Sequence, residues 1–294
     1  MTDEGSFWVA GLKLGGPGDD YIVTDFDAGS SDSRVQDVDY PSADRTRFGR
    51  DYVGAPTWSW TVLISPRDGD VLGAQQRLAA AWRNTSTRNT PGAVTQLVVQ
   101  RNGVKYAVWG RCRRIVFDAG ETDWLRQGAA FATLDFKLDA PVMALAGKNV
   151  ESLGLLTPAG DGGLIIPVGV PAVLSAGSSF AQKREGTLVV GGRLPAPFTL
   201  EVSGPVTGAL QEGVVSGNGW RVELARPVAW DETLVVDTRS GLVTVNGRST
   251  PGAVTARTRL TSRLSPGAQT FSFTGIDATA SSRVKLSWFD LQPL

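Results

Sequence analysis

Any chemistry in this 294-residue chain has to come from carboxylates, one thiol and aromatic rings, because the chain contains no histidine. Without imidazole, the usual general base near neutral pH and the commonest zinc ligand are both missing. Ser-His-Asp and Cys-His catalysis are excluded. The single cysteine, Cys112, rules out an intrachain disulfide and a thiolate metal cluster. It sits in WGRCRRIVF, where Arg111, Arg113 and Arg114 would depress its pKa if the thiol were exposed. The alternating context favours a half-buried strand position instead, where a thiol is inert.

The acids follow no catalytic spacing. Asp25, Asp27 and Asp32 in DFDAGSSDS have the beginnings of a calcium loop, but the third acid is displaced and the closing bidentate Glu is absent. The run reads as an exposed acidic loop. GLKLGGPGDD (11–20) is glycine-rich but lacks the Gly-Lys-Ser/Thr of a phosphate loop, and its two aspartates would repel phosphate. It reads as a turn. Asp237, in DTRSGLVTVNG, precedes two turn signals, Arg239-Ser240-Gly241 and Asn246-Gly247, around a short strand. Such an aspartate bonds backbone amides two or three residues on, so its predicted role is a turn and not acid catalysis. No carboxylate pair is nominated, no metal or cofactor site is expected, and the chain does not read as an enzyme.

Aromatic rings give the sharper candidates. Trp220 in GNGWRVEL and Trp230 in PVAWDETL lie at or near loop ends, where an exposed indole can stack on a sugar ring. Burial as core or loop anchor is the competing reading for each.

Charge is balanced overall, at 29 basic and 29 acidic residues, which gives no general argument for nucleic acid or an anionic membrane. It is unevenly spread. Residues 1–51 hold eleven acids against five bases, and residues 52–147 hold eleven bases against seven acids. An acidic front beside a basic middle suits contacts between identical subunits, as well as plain solvated loops. The N-terminal stretch has no basic and apolar signal pattern, and no run approaches the roughly 18 apolar residues of a membrane span. The chain reads as soluble and made in a cytoplasm.

The elements that must carry these residues are mostly strands. Glycine and proline punctuate short runs rich in Val, Thr, Phe and Trp. PTWSWTVLI places Trp58, Trp60, Val62 and Ile64 on one face, and AAFATLDFKL does the same with Ala130, Ala132, Leu134, Phe136 and Leu138. Asn102-Gly103 marks a hairpin. RDGDVLGAQQRLAAAWRNTS is the exception. Asp68 or Asp70 can cap a helix there, and Val71, Ala74, Leu78, Ala81 and Trp82 form its apolar stripe, with Asn84 ending it. Texture changes after Ala140, which predicts a junction at residues 140–150 and two domains, 1–145 and 146–294. The second half shows only strand signals, among them GTLVV, PFTLEVSG, ETLVVDT, TARTRLTS, QTFSFTGI and SRVKLSWFDL.

The order of segments carries a resemblance. GLKLGGPGDDYIVTDFD, FGRDYVGAPTWSWTVLI, a helix and a hairpin are followed by FTLEVSGPV, ETLVVDTRSGLVTVNG, RLSPGAQTFSFTG and the terminal VKLSWFDLQPL. This order resembles the distal tail (minor tail) proteins of long-tailed, non-contractile bacteriophages, particularly those of actinobacterial hosts, over nearly the whole chain. The resemblance implies a mainly β fold: a β-sandwich or split-barrel belt domain with one α-helix, then a galectin-like or carbohydrate-module-like β-sandwich. It implies a structural virion protein of the tail tip, assembled in the host cytoplasm. Six copies would form a homohexameric ring joining the tail tube protein to the tail-associated baseplate protein and the tape measure protein. Gly49-Arg50-Asp51-Tyr52 falls in the ring-forming half, so Arg50, Asp51 and Tyr52 are candidate ring-interface residues. Some relatives bind host cell-surface glycans through the outer domain. A glycan-binding module or adhesin acting through the second domain is the alternative, with Trp220 and Trp230 as candidate platforms.

Overall fold

The computed structural model describes residues 4–40, 44, 46–118, 128–154, 185–206, 213–275 and 281–294. It divides into two units, Met1–Ala146 with Gln292–Leu294, and Gly147–Leu291. The chain leaves the first unit after Ala146. The last three residues return to that unit, which the expected boundary at 145/146 did not include.

In the first unit the strands are β1 (Phe7–Val9), β2 (Leu12–Leu14), β3 (Tyr21–Asp27), β4 (Ser33–Arg34), β5 (Val38–Asp39), β6 (Thr46–Arg47), β7 (Tyr52–Val53) and β8 (Thr57–Ile64). Two helices follow, α1 (Val71–Trp82) and α2 (Thr85–Asn89), then β9 (Thr95–Arg101), β10 (Val104–Phe117), β11 (Ala130–Leu138) and β12 (Val142–Leu145). The main sheet runs β2-β1-β9-β10-β11-β8-β3. The glycine-rich run curls the two ends together. The Gly15 N–H donates to the Tyr21 carbonyl and the Val23 N–H donates to the Gly15 carbonyl, so the sheet is nearly closed into a barrel.

Alternation dictates which face goes inside. Trp58, Trp60, Val62 and Ile64 are buried, and so are Ala130, Ala132, Leu134, Phe136 and Leu138 of the strand paired beside them. Full burial of one such side chain contributes roughly 1.5–3 kcal/mol, so sliding β8 by one residue would forfeit several of them at once. The rings of Phe7, Phe26, Trp58 and Trp60 meet mostly edge to face or tilted, with Trp82 of α1 against Trp60 at 6.0 Å. The helix is anchored at its N-terminal turn. Asp70 caps it by accepting from the Gly73 N–H, and Tyr21 donates its hydroxyl to the Ala74 carbonyl at 2.9 Å. Val71, Ala74, Leu78 and Trp82 are its buried stripe. Asn84 does not simply end the helix: its side chain caps α2 by accepting from the Ser86 N–H.

The Asn102-Gly103 turn joins β9 to β10 with both residues at positive φ, 51° and 74°, as a tight hairpin requires. β10 is long. Its first half, Val104–Gly110, pairs with β9, and Gly110–Phe117 pairs with β11. The β11 ladder shifts register between Cys112 and Ile115, a bulge that leaves Arg113 and Arg114 exposed.

The second unit holds β13 (Asn149–Gly154), β14 (Glu185–Val190), β15 (Phe198–Ser203), β16 (Val214–Gly217), β17 (Trp220–Glu223), β18 (Thr233–Asp237), β19 (Leu242–Val245), β20 (Arg248–Ser249), β21 (Gly267–Thr274) and β22 (Arg283–Trp288). They form two sheets, β13-β22-β15-β18-β19-β20 and β14-β21-β16-β17. Val284, Leu286 and Trp288 are buried together, as their alternation predicts, and Phe198 of one sheet meets Trp220 of the other at 4.8 Å. TARTRLTS is a correction. It is turn, not strand: Thr258 N–H bonds the Thr255 carbonyl, and the Thr258 hydroxyl accepts from the Glu223 N–H. Its threonines serve local turns, and no apolar residue of the run is fully buried.

The closing strand β23 (Leu291–Pro293) pairs with β12, and the Leu294 N–H reaches the Pro141 carbonyl. Among the described residues no helix is long and apolar enough to cross a membrane.

Candidate functional site

Two exposed features stand out, one in each unit. The first is the excursion between β3 and β8. Every described residue from Gly29 to Val53 is exposed. The segment is ordered only by two-residue ladders, β4 with β7 and β5 with β6, and by local bonds. The Gly54 N–H donates to the Asp32 carbonyl, the Gly49 N–H to Asp37, and the Thr46 hydroxyl to Asp39. Gly49 is required for close approach, since a Cβ there would lie 1.9 Å from the Gln36 carbonyl oxygen. This arm carries Phe48, 81% exposed, together with Val35, Val38, Tyr40, Tyr52 and Val53. Six large apolar residues on a segment with no buried residue do not compensate the entropy of ordering it, about 1–2 kcal/mol per residue. Gathered on one segment, they make the arm a candidate interaction surface.

Arg50, Asp51 and Tyr52 all lie on this arm and are exposed, with the Arg50 guanidinium 6.0 Å from the Tyr52 ring centre. The apolar residues around them were not legible as a site. They alternate with charge in no regular period, so the sequence presents them as scattered loop residues. Asp25 and Asp27 also differ from expectation. They belong to β3 and not to a loop, and Asp27 accepts from the Gly29 N–H. Among the described residues no group of three or more Cys, Asp or Glu is gathered as a metal site.

The second feature is the turn around Trp230, whose indole is 81% exposed. Glu232 braces that turn by accepting from Arg226 at 2.9 and 3.0 Å and from the Ala229 N–H at 3.0 Å. The Arg226 hydrogen bonds, then the Ala229 N–H, hold the Glu232 carboxyl below the usual carboxylate range. Asn246 ties in the neighbouring hairpin, donating to the Asp231 carbonyl and accepting from the Thr233 N–H. Trp220 is the opposite case and a correction. Only 4% exposed and packed on Phe198, it has no face to offer a ligand. It begins β17, whose buried positions Trp220 and Val222 alternate with exposed Arg221.

The remaining chemical candidates resolve into structure. Cys112 is buried, and burial pushes its thiol up to about 12, against the depression its arginine neighbours would cause in water. In the glycine-rich run Lys13 pairs with Asp19 at 3.1 Å. Asp237 accepts from the Arg239 N–H at 2.9 Å and from the Ser240 hydroxyl at 2.6 Å, and Gly241 follows at positive φ. Val243 and Val245 point into the core.

No protein-family model matches the chain, and no curated protein matches its sequence. Solved structures do match its fold. The crystal structure of the Dit protein of phage SPP1, described as a paradigm of the hub adsorption apparatus in phages infecting Gram-positive bacteria, aligns with a TM-score of 0.58 at 9% identity, over 97% of this chain and 98% of that one. A chain of the phage P2 baseplate in its activated conformation with Ca aligns at 0.54 and 9% identity, over 96% and 97%. The corresponding baseplate with Sr aligns at 0.55 and 9%, over 96% of both chains. Two β-rich units in the same order, matched over nearly their whole length, give this chain the fold of the phage Dit hub and baseplate proteins.

Proposed function

We propose that the chain is a structural protein of a phage tail tip, forming a homohexameric ring that joins the distal end of the tail tube to baseplate and host-recognition proteins. The observation that carries this is the end-to-end fold match with a hub protein, joined to an exposed arm that cannot bury its own apolar residues. The first unit forms the ring, with the arm carrying Arg50, Asp51 and Tyr52 as a contact between copies. A closed ring needs head-to-tail contacts, one surface meeting a different surface on the next copy, and the acidic front and basic middle suit that geometry. The tube protein, the tail-associated baseplate protein and the tape measure protein are the proposed neighbours, and the protein's place is the virion, after assembly in the host cytoplasm. The role is assembly, without catalysis. Native mass spectrometry and negative-stain electron microscopy of the purified chain test it. Six-fold rings with a central channel are the expected result, and a strictly monomeric species at high concentration counts against it.

The Trp230 turn favours a second activity beside the first, glycan binding by the outer sandwich. A braced turn presents the indole at little further entropic cost, which suits stacking on a sugar ring. Binding on a glycan array that disappears in Trp230→Ala, with unchanged melting temperature, is the expected outcome; an unbound array for the wild-type chain removes the reading.

A further inference from the structure

The long strand β10 is covered on one side for only half its length. β9 ends opposite Gly110, and beyond it Arg111–Phe117 form a ladder with β11 alone among the described residues. That leaves a half-edge with no other strand beside it among the described residues; at its start the Arg111 guanidinium holds the Thr90 and Ala93 carbonyls. An open edge is a template for another strand. Here the edge is neither flat nor neutral. The bulge turns Arg113 and Arg114 outward, and Val116 is 42% exposed beside them. Charge on an edge repels a like-charged or apolar strand and admits an oppositely charged one.

The arm has the complementary character. Residues 29–53 carry five aspartates, Asp32, Asp37, Asp39, Asp44 and Asp51, against four arginines, and the arm rises from β3 beside two more acids, Asp25 and Asp27. Each of its short strands pairs on one side only, leaving the other free to bond. The competing edge, β3, is already bridged by Gly15 in its first half and carries exposed Asp25 and Asp27 in its second, so it would repel an acidic arm.

We infer that the half-edge Arg111–Phe117 of β10 is the seat for the arm of a second copy of this chain, added as an extra strand. Its aspartates lie against Arg113 and Arg114, and its apolar residues cover Val116. The inference rests on the ring reading and specifies the head-to-tail contact: arm of one copy, half-edge of the next. Seat and arm are different surfaces, so the contact propagates until the ring closes.

Charge exchange tests it on the full chain. Three variants are compared with the wild type by native mass spectrometry over a concentration series: Arg113→Glu/Arg114→Glu, Asp32→Arg/Asp51→Arg, and all four together. All the substituted positions are exposed, and equal melting temperatures establish that each variant folds. Each double variant is expected to need about tenfold more protein for half-assembly, and the quadruple variant to return towards the wild-type concentration. Arginine variants that assemble like wild type, or a quadruple variant that fails to recover, overturn the inference and leave the ring reading standing. A wild-type chain that stays monomeric throughout overturns both.

Discussion

At the residue scale, burial decides what each reactive or aromatic group can do. Cys112 lies among arginines in sequence, yet it is enclosed in the first core, and burial of the thiol outweighs the backbone hydrogen bond that favours the thiolate. With its thiol raised to about 12, it is expected to resist maleimide at pH 8 in the native protein and to react fully in denaturant; mass spectrometry of the labelled chain reads this directly. The two tryptophans divide the same way. Trp220→Ala removes a buried indole between the sheets and should cost about 3–5 kcal/mol, whereas Trp230→Ala removes an exposed one and should fall within about 0.5 kcal/mol of wild type. Paired urea melts distinguish them. In GNGWRVEL the alternation of Trp220 and Val222 with Arg221 points Trp220 inward, whereas PVAWDETL carries no such period around Trp230. The ring that Trp220 meets is Phe198, distant in sequence and across the sandwich.

At the element scale, regular alternation was legible and irregular exposure was not. β8 and β11 follow from their period-two pattern, α1 from its stripe and cap, and the β18–β19 turn from Asp237 and Gly241. β12 and β13 were missed because VMAL and NVESLG lack that pattern; their pairing is imposed by partners far along the chain, Tyr106–Ala107 and Arg283–Trp288. The arm was legible only as polar loop, since its ladders are two residues long. Gly49→Val should drive a side chain into the Gln36 carbonyl and disorder the arm without touching either core. The expected signature is an unchanged melting temperature with loss of rings in native mass spectrometry. The Trp230 turn carries its own acid sensitivity. Glu232 has a folded-state pKa lowered by Arg226, so its bracing is complete above the usual carboxylate range and fades as pH falls through the lowered value. Trp230 emission, taken as wild type minus Trp230→Phe, should therefore change in acid, and Glu232→Gln should abolish that pH step.

At the scale of the whole molecule, chain order and spatial order part company at the C-terminus. The second unit begins after β12, and the chain afterwards rejoins the first unit through β23, which lies beside β12. Leu294 bonding Pro141 sets the end of one strand against the start of the other, the antiparallel sense of a hairpin. The whole of Gly147–Leu291 thus occupies the place of a hairpin loop. Replacing residues 147–290 by a two-residue Asn-Gly turn should leave the first unit folded, with its circular dichroism and its rings intact. A chain that aggregates or loses β structure on this replacement would show that the first unit depends on the second. A domain carried as a loop insertion can be lost, swapped or enlarged without rewriting the sheet that bears it. Lineages related to this one would then vary the inserted unit while the sheet that bears it keeps its geometry.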